Sequence, residues 1–139
     1  MSAVPSSWRY RVYWEHTDAG GVVYHSRYLN FRERARSDWL LALGFPQIEL
    51  RENAGCLFVV TSLALDFRAP ARLEDELDVD VVVEQLRAAS MRVSQRARRA
   101  DGVLLASGEV AIACLAAGTF RPTRMPPALH AAIHQFRGY

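Results

Sequence analysis

The sequence predicts an α+β fold, an antiparallel sheet with one long helix packed on a face. Three observations carry this. Strand-like alternation occurs five times, whereas helical spacing of any length occurs once. The helix follows the first strand and precedes four strands in succession, so strands and helices do not alternate as they would around a parallel sheet. The chain has 139 residues, half of them hydrophobic, which is one domain's worth, residues 1–139.

Taken in order, residues 8–14 set Trp8, Tyr10, Val12 and Trp14 against Arg9, Arg11 and Tyr13 and read as a strand. Glu15, His16, Thr17, Asp18, Ala19, Gly20 and Gly21 form a turn-prone stretch, its glycines open to backbone angles closed to other residues. Residues 26–43 form the helix, with Tyr28, Phe31, Ala35, Trp39 and Ala42 at helical spacing, Ser26 as N-cap and Gly44 as C-terminal cap. Residues 57–67 alternate as a second strand, which Pro70 stops. Leu77, Val79, Val81 and Val83 mark a third, residues 90–99 a fourth and residues 103–115 a fifth, with an Asp101-Gly102 hairpin turn before it. After Pro122, Pro126 and Pro127 comes an amphipathic piece, residues 128–136.

Composition narrows the function. Net charge is +2, too balanced for a nucleic-acid binder. All 17 basic residues are Arg, the mark of a high-GC genome and also a residue suited to phosphate contacts. No apolar run approaches the roughly 20 residues of a membrane-spanning helix. Residues 1–7 lack the basic and apolar regions of a secretory signal, so a cytoplasmic protein, not integral to a membrane, is expected. Cys56 and Cys114 sit in apolar sequence and read as reduced core residues. The uncovered sheet face calls for a homo-oligomer.

Chemistry concentrates between Arg11 and His25. A carboxylate, two glycines, a short apolar run and a histidine precede the helix, whose first N–H groups lack internal partners and carry the positive end of its dipole. A carbonyl oxygen placed there would be polarised as in an oxyanion hole. Asp18 would attack its carbon or activate a water. These parts suit hydrolysis of an activated acyl group.

The stretch from Arg11 to His25, with Tyr28 and Glu33-Arg34-Ala35-Arg36, and the later string from Phe67 to Asp75, resembles the 4-hydroxybenzoyl-CoA thioesterase family of hotdog-fold enzymes. It is most similar to the tol-pal-associated acyl-CoA thioesterases. The resemblance implies a hotdog fold, an antiparallel five-stranded sheet wrapped around one long central helix. It also implies dimers with a continuous sheet, often tetrameric, with the active site at the interface. The substrate would be an acyl-CoA thioester, or an acyl chain on acyl carrier protein, and no metal or other cofactor is implied. Asp18 matches the family's catalytic carboxylate and His25 its motif histidine. Tyr24 and His25 sit where the family offers a backbone N–H to the thioester carbonyl. Gly21, Val23, Thr61, Arg87 and Ser90 are the candidate substrate-binding residues, Thr61 for an acyl pocket and the turn from Arg87 to Ser90 for the pantetheine and nucleotide. Where the family commonly has an acidic residue before the Thr-Asp pair, this chain has His16.

Blander roles stand beside these. Asp18 taken alone would be a turn or cap residue. His16 reads as a solvated loop residue, Tyr28 and Trp39 as core, and Glu33, Arg34 and Arg36 as helix-face ion pairs. A metal set of His16, Asp18 and His25 lacks the spacing of two histidines on a helix face. The competing function is a non-catalytic module that binds acyl-CoA or acyl carrier protein in an envelope-related complex.

Overall fold

The computed structural model describes residues 4–137. The start of the segment read as free of a signal, residues 1–3, lies outside them. Strand β1 (Ser7–Arg11) opens the chain, followed by a 3₁₀ turn (Trp14–His16), α1 (Arg27–Leu43) and α2 (Gln47–Asn53). Then come β2 (Cys56–Leu63), β3 (Asp66–Phe67), β4 (Glu76–Asp80), β5 (Val82–Leu86), β6 (Ser90–Arg99) and β7 (Leu104–Ala116), and α3 (Pro127–Arg137) closes the described chain.

Every strand pairing is antiparallel, and the sheet runs β1-β4-β6-β7-β2, with β5 on β6 and β3 on β7. The α+β expectation holds. Seven strands stand where five were expected because two of five ribbons are broken. The residues 77–83 reading divides into β4 and β5 at Val81, whose N–H turns to the Ser6 carbonyl at 3.0 Å. The residues 57–67 reading divides into β2 and β3 around Ala64 and Leu65.

Three further readings are corrected. The first strand ends at Arg11, not Trp14, because the chain tightens into the 3₁₀ turn and leaves Trp14 exposed. There are three helices among the described residues, not one. Helix α2 escapes periodicity because it is seven residues long and buries only Leu50. Ser26 makes no side-chain cap: its backbone is already helical at φ −70° and ψ −20°. Gly44 does close α1 in the left-handed conformation, φ 96°.

Helix α1 supplies much of the core. Tyr28, Phe31, Ala35, Trp39 and Leu40 are buried at helical spacing, and Ala42 is exposed. They pack with sheet residues such as Leu77, Val79, Val93, Leu105 and Val110 and with Leu129 and Ile133 of α3. Cys56 and Cys114 are buried and free; burial and the neighbouring Cys56 push the Cys114 thiol up to about 12. The expected ion pairs of α1 are absent among the described residues. Arg36 turns inward to the Gln95 amide oxygen at 2.9 Å, Arg34 lies over the Tyr10 ring, and Glu33 accepts from Ser37.

Trp39 is fully buried and its indole N–H has no acceptor among the described residues. Urea unfolding of Trp39→Ala is expected to show a loss of about 3–5 kcal/mol. Trp39→Phe keeps most of the volume and removes the unpaired donor, so it is expected to cost less than about 1.5 kcal/mol.

Candidate active site

The site begins where β1 ends. Val12 is fully buried; its N–H donates to Asp75 and its carbonyl accepts from Glu74, both at 2.9 Å. The Tyr13 N–H then donates to His16 Nδ1 at 2.9 Å, and Thr17 donates twice to the Trp14 carbonyl, closing the 3₁₀ turn. His16 is only 4% exposed, and its ring lies 4.6 Å from Phe31 of α1. The reading of His16 as a solvated loop residue is therefore corrected: it is a buried acceptor that holds the turn.

A tight hairpin follows. Tyr24 N–H donates to the His16 carbonyl at 2.9 Å, Thr17 bridges Val23, and Asp18 N–H donates to the Val22 carbonyl at 2.9 Å. At its tip the Gly21 N–H returns to the Asp18 carbonyl at 3.0 Å with φ 79°, an angle that favours glycine. Gly20 N–H donates to Asp18 Oδ1 at 2.8 Å. A Cβ on Gly20 would lie 3.2 Å from that oxygen, so glycine leaves room for the carboxylate. Val23 N–H donates to the Ala71 carbonyl at 2.8 Å and Val22 bridges Arg72, which fastens the hairpin to the chain after β3.

The helix starts immediately beyond. Arg27 N–H donates to the Tyr24 carbonyl and Leu29 N–H to the Ser26 carbonyl. The N–H groups of His25 and Ser26 have no acceptor among the described residues. The expectation that Tyr24 offers its backbone N–H is corrected, because that donor is spent on His16. The open donors belong to His25 and Ser26. Asp18, Tyr24 and His25 are exposed. The Tyr24 and His25 rings lie 4.3 Å apart, and Phe67 approaches His25 at 6.5 Å and Tyr28 at 5.5 Å.

Asp18, Gly21, Val23, Tyr24 and His25 thus gather around one hairpin and one helix start. Thr61, Arg87 and Ser90 do not join them in a single chain. Thr61 is exposed at a bulge in β2, its hydroxyl donated to the Ala111 carbonyl. Arg87 and Ser90 close the β5–β6 turn through a 2.8 Å backbone bond. Ser90 pairs with Ala113 of β7, whereas Phe67 pairs with Ala106, so the two regions are about 24 Å apart along that strand. A groove of about 120 Å³ between α1, α2 and β2, with Arg36, Trp39, Phe58 and Val60 among its walls, includes none of the eight candidates. No cluster of three or more His, Cys, Asp or Glu side chains among the described residues is placed to hold a metal ion. Phe67 and the buried Arg32 were not singled out by sequence; Arg32 carried a signal, since it falls on the buried stripe of α1.

A carboxylate on a hairpin that leads into unpaired helix-start donors can activate water, or attack, where a substrate carbonyl reaches both, while those donors hold an oxyanion. A family model described as the thioesterase-like superfamily matches residues 12–133. The chain is 42% identical to the acyl-CoA thioesterase YbgC of Haemophilus influenzae, covering 91% of this chain and 93% of that one. It is 38% identical to the acyl-CoA thioester hydrolase YbgC of an Escherichia coli strain, over 97% and 100%. Among solved structures, a probable thioesterase from Bartonella henselae superposes with a TM-score of 0.82 at 32% identity, over 86% and 98%.

Burial holds the His16 pKa below its usual value, partly countered by Glu15. Nδ1 accepts the Tyr13 N–H, which a protonated Nδ1 cannot do. The unfolded chain therefore binds a proton first, and stability is lost as pH falls below about 6.5 toward the lowered folded value. Urea unfolding midpoints taken across that window are expected to fall more steeply in the wild type than in His16→Asn; equal slopes would remove His16 as the source.

Proposed function

The chain belongs to the thioesterase-like superfamily, and from that premise we propose that it is an acyl-CoA thioesterase whose catalytic carboxylate is Asp18. The observation that carries this reading is the placement of Asp18 on a hairpin bound to the start of α1, where His25 and Ser26 keep open donors. Relatives at 38–42% identity over nearly the whole chain are named for the same activity. In one route Asp18 takes a proton from a water that attacks the thioester carbon, and that proton passes to the departing thiolate. In the other the Asp18 carboxylate attacks, expels the thiolate and forms a mixed anhydride. Water then hydrolyses the anhydride, which frees the acid, restores the carboxylate and supplies the thiol proton. In both routes the helix-start N–H groups hold the oxyanion. CoA or acyl carrier protein is the thiol carrier, and Asp18 serves as base or nucleophile. The mechanism calls on no metal or organic cofactor. We place the enzyme in the cytoplasm, near an envelope complex of the tol-pal kind, on the resemblance alone. No described helix is long and apolar enough to cross a membrane.

The active unit we propose is a dimer, or a dimer of dimers, formed by antiparallel pairing of two β2 edges. Such pairing lays the Cys56 end of one copy beside the Leu63 end of the other. The Arg87–Ser90 turn of one copy then moves toward the Asp18 hairpin of its partner, which a single chain keeps far apart.

Thiol release over a panel of acyl-CoAs tests the activity. Asp18→Asn is expected to lower kcat by at least about a hundredfold with the fold intact. Turnover within about tenfold of wild type rejects the role, and binding without turnover on every acyl-CoA favours the non-catalytic module. Mixing Asp18→Asn with Arg87→Ala tests the shared site. Hybrid dimers hold one wild-type site each, so random reassortment is expected to give about a quarter of wild-type activity at low substrate. Activity no higher than the average of the two separate variants means that Asp18 and Arg87 do not meet across subunits.

A further inference from the structure

We propose that Arg32 is a positioning residue for the hydrolysis described above: its guanidinium holds the corner between β2 and β3 and thereby sets Phe67 against His25. The kinetic consequence rests on the thioesterase reading; the geometric one does not.

Arg32 lies on the buried stripe of α1 and is 3% exposed. Its Nη1 donates to the Ala64 carbonyl at 3.2 Å and its Nη2 to the Gly108 carbonyl at 3.0 Å. Nε has no acceptor, and no carboxylate among the described residues pairs with it. Burial, with the nearby Arg36 charge, pushes its pKa down to about 10. A desolvated cation without a counterion is costly. What offsets that cost here is the pair of carbonyls it reaches.

Those carbonyls mark a single defect in the sheet. Strand β2 ends at Leu63 and pairing with β7 resumes at Asp66. Between them the chain lies down on Gly108: a Cβ there would meet the Ala64 oxygen at 1.9 Å and its carbon at 2.7 Å. Only glycine admits so close an approach. The fork of a guanidinium spans two carbonyls that a single-point donor would not.

The corner leads directly to the site. Three residues after Ala64, the Phe67 ring lies against His25 and Tyr28. The Ala71 N–H donates to the Tyr28 hydroxyl at 3.3 Å, and the Ala71 carbonyl accepts the Val23 N–H of the hairpin. Tyr28 and Arg32, one turn apart on α1, therefore fix the two ends of one wall, residues 64–71. The hairpin bearing Asp18 is bound to that wall. Releasing Arg32 removes the side-chain anchor on the Ala64 and Gly108 carbonyls and leaves the end from which Phe67 projects to the Ala64 N–H bond to the Glu109 carbonyl and the β3–β7 pairing.

The test compares Arg32→Met, which keeps length and loses every donor, with Arg32→Lys, which keeps charge and one donor group, using Phe67→Ala as reference. The chain has four histidines, so the His25 imidazole is resolvable by NMR against His130 and His134 of α3. Phe67→Ala is expected to shift the His25 signals by removing the ring beside them. Arg32→Met is expected to shift them in the same sense while His130 and His134 stay in place, with Arg32→Lys between. At temperatures where all variants are folded, kcat of Arg32→Met is expected to fall at least about tenfold with KM changed less than about twofold. Unmoved His25 signals in folded Arg32→Met, or an unchanged kcat beside an active wild type, overturns the proposal. Should Arg32→Met not fold, Arg32→Lys decides on the same readouts. If the wild type hydrolyses no acyl-CoA, the thioesterase reading fails, and the His25 signals still decide the role of Arg32.

Discussion

The hydrogen bond from the Tyr24 N–H to the His16 carbonyl is the constraint on which the site geometry depends. His16 is held three ways: its ring packs on Phe31, its Nδ1 caps the 3₁₀ turn, and its carbonyl receives Tyr24. The hairpin is therefore registered against the helix core. Once Tyr24 is committed, the next two N–H groups are left without acceptors among the described residues before the Arg27 N–H turns back to the Tyr24 carbonyl. The positive end of α1 opens at His25 and Ser26 for that reason, and Asp18 stands on the opposite arm of the same hairpin.

Beneath this, two buried polar side chains, Gln95 of β6 and Arg32 of α1, repair the sheet. At the break between β4 and β5, Gln95 donates to the Asp80 carbonyl and to the Arg32 carbonyl of α1, and it accepts from Arg36. At the break between β2 and β3, Arg32 takes two carbonyls. Each bond gives a carbonyl at a break the donor that the interrupted ladder no longer supplies. These side chains let the ribbons bend at defined points with those carbonyls still paired. The bends turn the segment after Ala64 toward the helix start, so the shape of the sheet and the position of the hairpin share one cause.

Much of this was legible in the sequence where the signal is local. Residues 90–99 alternate cleanly and form β6 with those bounds. The Asp18 hairpin was legible because Gly20 and Gly21 serve a turn, and Gly21 takes the positive φ that they permit. What escaped was set from elsewhere in the chain. His16 looked like a solvated residue because nothing near it in sequence shows that Phe31 will cover it. The strand breaks depend on Gln95 and Arg32, 15 and 32 residues from the carbonyls they satisfy. Arg32 also escaped, although it carried a local signal: residues 28, 31, 32, 35 and 39 trace a stripe on which a charge is out of place.

The two edges of the sheet differ in a way that bears on assembly. β1 is studded with charge: Arg9 pairs with Asp78 at 2.9 Å and Arg11 with Glu76 at 3.2 Å, which blunts it against pairing with another strand. β2 reads Cys-Leu-Phe-Val-Val-Thr-Ser-Leu with no charge, and it exposes Val60 and Leu63. An uncharged edge of eight residues favours a partner strand where a charged edge discourages one. The same edge borders the groove walled by Glu33, Arg36, Trp39, Phe58 and Val60, so a second copy seated there would roof it. Covering the uncharged edge and closing that groove would then be one event.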